Sequence, residues 1–269
     1  MGWDGHDLPL KYATLDTFQP FLLISMFMKG LAVALSFLTV LPVRRRLISD
    51  EEPAGSISLF PVVGFILGLI YALIAYVTLR FLPPTLAALL VLCSMVALTG
   101  GFHLDGLTDT FDGLALGKSR EEILRIMKES TIGTFGVLAL VMIILLKWVA
   151  LWELLKRGLY YPLFVAPAWG RWALVCLAAT GKPAKKEGLG AWIIHHSQGK
   201  SLITATAWAV IFMLLVHIKG VLHILWLYPA LMGYRWFWEG RMGGVTGDVM
   251  GASCEMTETL ILLLCLTGI

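Results

Sequence analysis

Eight apolar runs divide the chain, at 21–43, 57–81, 86–104, 135–155, 160–179, 202–218, 221–237 and 260–269. A helix needs about 20 apolar residues to cross the hydrocarbon core of a bilayer, and most of these runs meet or approach that length. At that length per span, 269 residues hold roughly seven or eight membrane helices, the last run being too short to cross comfortably. The expected fold is therefore all-α, a polytopic membrane helical bundle. Composition agrees: 58% of residues are hydrophobic, only 14% are charged, and the mean hydropathy is +0.81. Ordinary soluble domains do not have that balance. Residues 1–20 carry Asp4, Asp7 and Asp16 without apolar periodicity and read as a loose tail, leaving 21–269 as one transmembrane catalytic domain.

Basic residues set the orientation of such a chain. Counting alternate sides places Arg44, Arg45, Arg46, Lys118, Arg120, Arg125, Lys128, Lys182, Lys185, Lys186, Lys200, Arg235 and Arg241 on one face, which the positive-inside rule makes cytoplasmic. Lys156, Arg157 and Lys219 fall on the other. No block of basic residues points to nucleic acid. Cys93, Cys176, Cys254 and Cys265 match neither a metal-ligand nor a disulfide spacing and read as packing residues. The first apolar run is long and ends in three arginines rather than a small-residue cleavage site, so it reads as a retained span. Pro83 and Pro84 require a tight turn between the second and third runs.

The polar segments 103–133, 181–201 and 239–259 carry the chemistry. Asp105, Asp109 and Asp112 stand at i, i+4 and i+7, so on a helix they share one face. Stacked like charges repel, and a bound cation relieves that repulsion. Hard oxygen donors without a cysteine or a histidine pair suit magnesium, manganese or calcium. The plainer alternative is a solvated acidic helix end. A second row, Asp248 and Glu255, follows the glycine-rich run from Gly243 to Gly247 on the same expected side of the membrane. Glycine permits close approach and exposes amides to an anion, although a glycine turn before an ordinary helix gives the same pattern.

Lys118, Arg120, Arg125 and Lys128, followed by the hydroxyl and glycine loop 130–136, add the positive charge that diphosphate chemistry uses; a cytoplasmic loop carries such residues for orientation alone. Lys147 and Arg171 lie inside apolar runs, where an ion costs about 2.5–3.5 kcal/mol, so each requires a partner or a cavity. Lys147 fits a structural pair with a buried acid, and Arg171 an anion contact. Adjacent His195 and His196 cannot form a helical i, i+4 metal pair. The tryptophans and tyrosines fit interfacial belts and bundle packing, with one or two free to stack on a flat ring.

At these residues the chain resembles the cobalamin synthase family, the adenosylcobinamide-GDP ribazoletransferases. The run Gly-Gly-Phe-His-Leu-Asp-Gly-Leu-Thr-Asp-Thr-Phe-Asp-Gly from Gly100 to Gly113 looks like that family's hallmark. The likeness continues in order from about Leu35 through Phe37-Leu38-Thr39, Leu41-Pro42, Phe60-Pro61, Gly64, Gly68, Gly133, Gly136, Lys147, Arg171, the segment 187–190, and Gly243 to Glu255. Residues before about Met26 lie outside it.

The resemblance implies a reaction. The ribose 3′-hydroxyl of α-ribazole, or of its 5′-phosphate, attacks the cobinamide-side phosphorus of adenosylcobinamide-GDP and releases GMP. It implies magnesium as cofactor, held as one or two ions by Asp105, Asp109 and Asp112 with Asp248 and Glu255. Asp105, Asp109 and Asp112 are the implied catalytic residues, with Asp109 or Asp112 taking the hydroxyl proton. His103, Lys128, Ser130, Gly133, Lys147, Arg171, Glu187 and Gly247 are the implied substrate contacts. The two substrates and the lipid bilayer are the partners, and a homo-oligomer is left open. The implied location is the cytoplasmic (inner) membrane of a bacterium or archaeon, with the site facing the cytoplasm. A divalent-cation transporter would need acids deep within the spans. A lipid-alcohol phosphotransferase would show an alanine-arginine element that this chain lacks.

Overall fold

The computed structural model describes residues 19–42, 53–129, 131–197 and 199–267, and everything described is helix or connection apart from one isolated bridge. In chain order the helices are α1 (Gln19–Leu38), α2 (Pro53–Ile57), α3 (Phe60–Thr78), α4 (Pro84–Thr99), α5 (Phe102–Leu116), α6 (Arg120–Ile126) and α7 (Thr134–Lys156). Then come α8 (Pro162–Thr180), α9 (Leu189–His196), α10 (Gly199–Val216), a 3₁₀ turn at Ile218–His223, α11 (Ile224–Met242) and α12 (Gly247–Leu266). The tail 1–18, the arginines at 44–46 and Ser130 lie outside the described residues.

The all-helical class is as expected, and fewer helices than the seven or eight expected pass as spans by length and apolar composition alone. Among the described residues five helices, α3, α7, α8, α10 and α12, are long and apolar enough to cross a bilayer. A sixth is reached only if α4 and α5 count as one span bent by 87°. The third apolar run, expected at 86–104, ends instead at Thr99, where Gly100 and Gly101 both adopt left-handed backbone (φ 66° and 68°). Two consecutive left-handed residues turn the chain sharply, and only glycine does so without strain. The final run, expected to be too short, is the second half of the 20-residue α12, whose first half carries the polar residues. The seventh run is divided between the 3₁₀ turn and α11.

Helix α8 forms the centre. It is buried nearly all round, as an encircled helix must be, and packs against α3, α12 and α10. Gly64 and Gly68 bring α3 into backbone contact with it: a Cβ at Gly64 would lie 2.3 Å from the carbonyl oxygen of Pro167. In contrast, α7 exposes the apolar stripe Leu138, Met142, Leu145 and Val149, whose four- and three-residue spacing marks one lipid-facing side. Helix α12 lies between α8 and α5, so the second acidic row is carried on an element that touches the first.

Candidate active site

The two acidic rows meet because two glycines let their helices touch. A Cβ at Gly106 would stand 2.8 Å from the Asp248 carbonyl oxygen, and one at Gly251 would stand 3.3 Å from the His103 Cα. Helices α5 and α12 therefore cross in backbone contact, running antiparallel. The contact places Asp105 and Asp109 beside Asp248, and the charges acting on Asp109 include Asp105, Asp248 and Lys185. Asp105 is exposed in the first turn of α5, where the positive helix end favours a carboxylate; Asp109 and Asp248 are half-buried.

Lys185 completes this group, with its Nζ 3.5 Å from Asp248 Oδ2. Its position is set by a short bridge between two loops. The Ala184 amide donates to the Val245 carbonyl at 3.0 Å and the Val245 amide donates to the Lys182 carbonyl at 2.7 Å. Arg120 adds a bond to the Ala184 carbonyl at 3.2 Å. Thr246 then caps α12 by accepting from the Val249 amide, which fixes where Asp248 begins its helix. By sequence Lys185 counts only toward membrane orientation, and its place two residues before Glu187 is the signal that points to the site.

These residues surround a cavity of about 180 Å³. His103, Asp105 and Gly106 form one wall, Gly247 and Asp248 another, and Lys185 with Glu187 and the start of α9 a third, over an apolar floor that includes Phe37, Phe60 and Leu174. An open basin of about 580 Å³ adjoins it, sharing Phe37, Glu187, Gly188 and Leu189 and extending to Trp192, His195 and His196. In that basin Phe37, Trp192 and His196 stack in sequence, with ring centroids 5.4 and 4.4 Å apart.

Several expected site residues are engaged elsewhere. Asp112, expected to bind metal or take a proton, is buried: its Oδ2 accepts from the Gly133 amide at 2.7 Å and its Oδ1 from the Gly136 amide at 2.8 Å. It caps α7 from a neighbouring helix, and the Gly133 amide is turned toward it. Glu255, expected as a fifth metal ligand, is buried one helical stretch below Asp248 and accepts from Lys147. Lys147 also donates to Glu258 at 2.6 Å, and Arg171 pairs with the other oxygen of Glu258. Four opposite charges thus balance inside the bundle, each side chain at most 7% exposed. The reason is energetic: an unpaired ion at this depth is costlier than an ordered pair, so Lys147 and Arg171 take acids as partners before any phosphate. Glu258 was missed in the sequence, although two intramembrane cations require two acids and it lies three residues beyond Glu255. Lys128 is exposed beyond α6 and lines neither hollow.

Of the two acidic rows, Asp105 and Asp248 line the cavity, Asp248 beside Lys185, and Asp109 follows Asp105 one turn along the same face of α5. Among the described residues no three His, Cys, Asp or Glu side chains are gathered closely enough to enclose an ion by themselves. Two carboxylates from different helices form the kind of donor set that a largely hydrated divalent cation completes with substrate oxygens.

Residues 30–266 match the family model described as cobalamin-5-phosphate synthase. The chain is 35% identical over 241 residues to an adenosylcobinamide-GDP ribazoletransferase of Acetivibrio thermocellus, covering 88% of this chain and 97% of that one. It is 36% identical to the protein of that name from Klebsiella pneumoniae, over 87% and 98% of the two chains, and 38% identical to the one from Desulforamulus reducens, over 89% and 96%. No solved structure matches the chain. With nearly its whole described length inside one family model, and with relatives this similar end to end, the chain belongs to the cobalamin-5-phosphate synthase family.

Proposed function

We propose that this chain is a magnesium-dependent adenosylcobinamide-GDP ribazoletransferase of a bacterial or archaeal cytoplasmic membrane, working at its cytoplasmic face. It joins the activated corrinoid to α-ribazole or α-ribazole 5′-phosphate and releases GMP. The observation that carries this reading is the convergence of Asp105, Asp109 and Asp248 at the α5–α12 contact, with Asp105, Asp248 and Lys185 on the wall of one cavity.

Asp105 and Asp248 are the residues to hold magnesium, being acid donors on two helices whose separation is fixed by backbone contact. Bound there, the ion would neutralise charge on the phosphoryl oxygens and on departing GMP. Asp109 lies between them in charge terms and, among the described residues, has no hydrogen bond holding its carboxylate. It accepts the proton of the attacking ribose hydroxyl as the new phosphorus–oxygen bond forms and the bond to GMP breaks. The cavity is smaller than the 300–1,000 Å³ common for whole ligands, so it takes the diphosphate while the corrin lies in the adjoining open basin.

The deep charges argue against a cation path, since Glu255 and Glu258 are neutralised by Lys147 and Arg171. The test is reconstitution in nanodiscs with adenosylcobinamide-GDP, α-ribazole 5′-phosphate and magnesium, with GMP and corrinoid products separated by chromatography. Product that disappears with EDTA supports the proposal. Well-folded protein that makes none, yet moves divalent cations across vesicles, overturns it.

A further inference from the structure

Lys185 and Asp248 reach the cavity from two loops, and the spacing of those loops depends on two arginines that line neither hollow. The loops meet in backbone contact, since a Cβ at Gly244 would stand 2.5 Å from the Lys182 carbonyl oxygen, beside the Pro183–Val245 bridge. Arg235, on α11, donates from Nη1 to the Thr180 carbonyl at 2.5 Å, at the last residue of α8. Arg120, at the start of α6, donates from Nη2 to the Ala184 carbonyl at 3.2 Å, on the residue just before Lys185. Its other terminal nitrogen faces Gly243, where α11 ends in left-handed backbone at φ +75° and a Cβ would stand 3.2 Å from Nη1. One guanidinium therefore lies against both loops, beside the negative end of a helix, where a cation is favoured. Helix α6 is itself fixed to α5: a Cβ at Gly113 would meet Met127 at 3.1 Å, and one at Gly117 would meet Ile123 at 2.4 Å. Arg120 thus ties the loop carrying Lys185 to the helix carrying Asp105 and Asp109.

We propose that Arg120 and Arg235 are positioning residues of the transfer site, holding the 180–185 loop at two carbonyls so that Lys185 faces Asp248. The inference rests on the transferase reading above. By sequence both arginines count as orientation charges, and Arg120 also as positive charge for a diphosphate; the structure turns their donors to backbone carbonyls instead. The role needs the planar fork, which offers donors in fixed directions, so a lysine replaces the charge without the geometry. Misplacing a reacting group by 1 Å can cost about 10²-fold in rate, which is how two arginines outside the cavity reach the chemistry.

The test measures kcat and both KM values for the full chain in nanodiscs, with melting temperature and amide exchange on the same samples. Arg120→Ala is expected to lower kcat about tenfold while changing either KM less than about twofold. Exchange at the Ala184 and Val245 amides should quicken, because their bonds form the bridge that the arginine steadies. Added guanidinium ion should restore part of the rate to Arg120→Ala and none to the unaltered protein, and Arg120→Lys should stay impaired. Should Arg120→Ala fail to fold, Arg120→Lys and Arg235→Ala carry the test, each with a lowered kcat as the expected result. An unchanged kcat in these variants would overturn the proposal. So would a loss confined to the KM for adenosylcobinamide-GDP that Arg120→Lys restores, which marks a phosphate contact, and so would a loss that follows the melting temperature and that guanidinium does not relieve. If the unaltered protein makes product, the variants alone decide this inference; if it makes none, the transferase reading fails and this inference fails with it.

Discussion

At the scale of single residues, the acidic side chains divide by what their oxygens meet. Asp112 is tied to two amides and Glu255 and Glu258 to two cations, whereas Asp105 and Asp248 border the cavity, Asp248 beside Lys185, and Asp109 lies next to them on α5. Replacing Glu258 by Gln leaves Arg171 and part of Lys147 without a counter-charge. Breaking a buried pair costs about 3–5 kcal/mol, so a clear fall in melting temperature in nanodiscs is expected. Glu255→Gln should also destabilise, and the double change Lys147→Met with Glu255→Gln should recover part of that loss, because it removes the cation as well as its partner. No recovery would mean that the pair is not the stabilising unit. The two rows were legible in the sequence because helical spacing alone puts them on faces. The sorting within each row was not, since Asp112 is set by amides 21 and 24 residues away and Glu255 by a lysine 108 residues away.

At the scale of elements, the site depends on α5 meeting α12 without a side chain between them. Gly106→Val should push the helices apart, and overpacking of this kind typically costs about 1–3 kcal/mol. The expected result is a loss of activity out of proportion to the loss of stability, read from GMP release and melting in the same sample. Asp112→Ala should act differently. Two amides at the start of α7 lose their acceptor, at about 1–3 kcal/mol, and hydrogen exchange at Gly133 and Gly136 should quicken while α12 is unaffected. Sequence patterning located the apolar runs well, but hydropathy does not register direction. It joined α4 to the start of α5 across Gly100 and Gly101, and it cut the polar first half of α12 away from its apolar second half. Both errors fall at the site, where polar residues sit inside membrane-length helices.

At the scale of the whole molecule, the alternating helices place the 117–133, 181–198 and 243–246 connections on one side and the 157–161 and 217–223 connections on the other. All the residues assigned to chemistry gather on the first side, which is the side richer in lysine and arginine. In intact cells a membrane-impermeant maleimide should therefore label Lys219→Cys and leave Lys118→Cys unlabelled until the membrane is opened; the reverse pattern would invert the orientation. The central claim is that catalysis belongs to the free carboxylates at the α5–α12 contact and stability to the buried, paired ones. The most direct test measures GMP release and melting temperature for Asp109→Asn and Glu255→Gln side by side. Asp109→Asn should lower the rate by about 10²-fold or more with its melting temperature unchanged, while Glu255→Gln lowers the melting temperature. An Asp109→Asn protein that releases GMP at the normal rate would contradict the account.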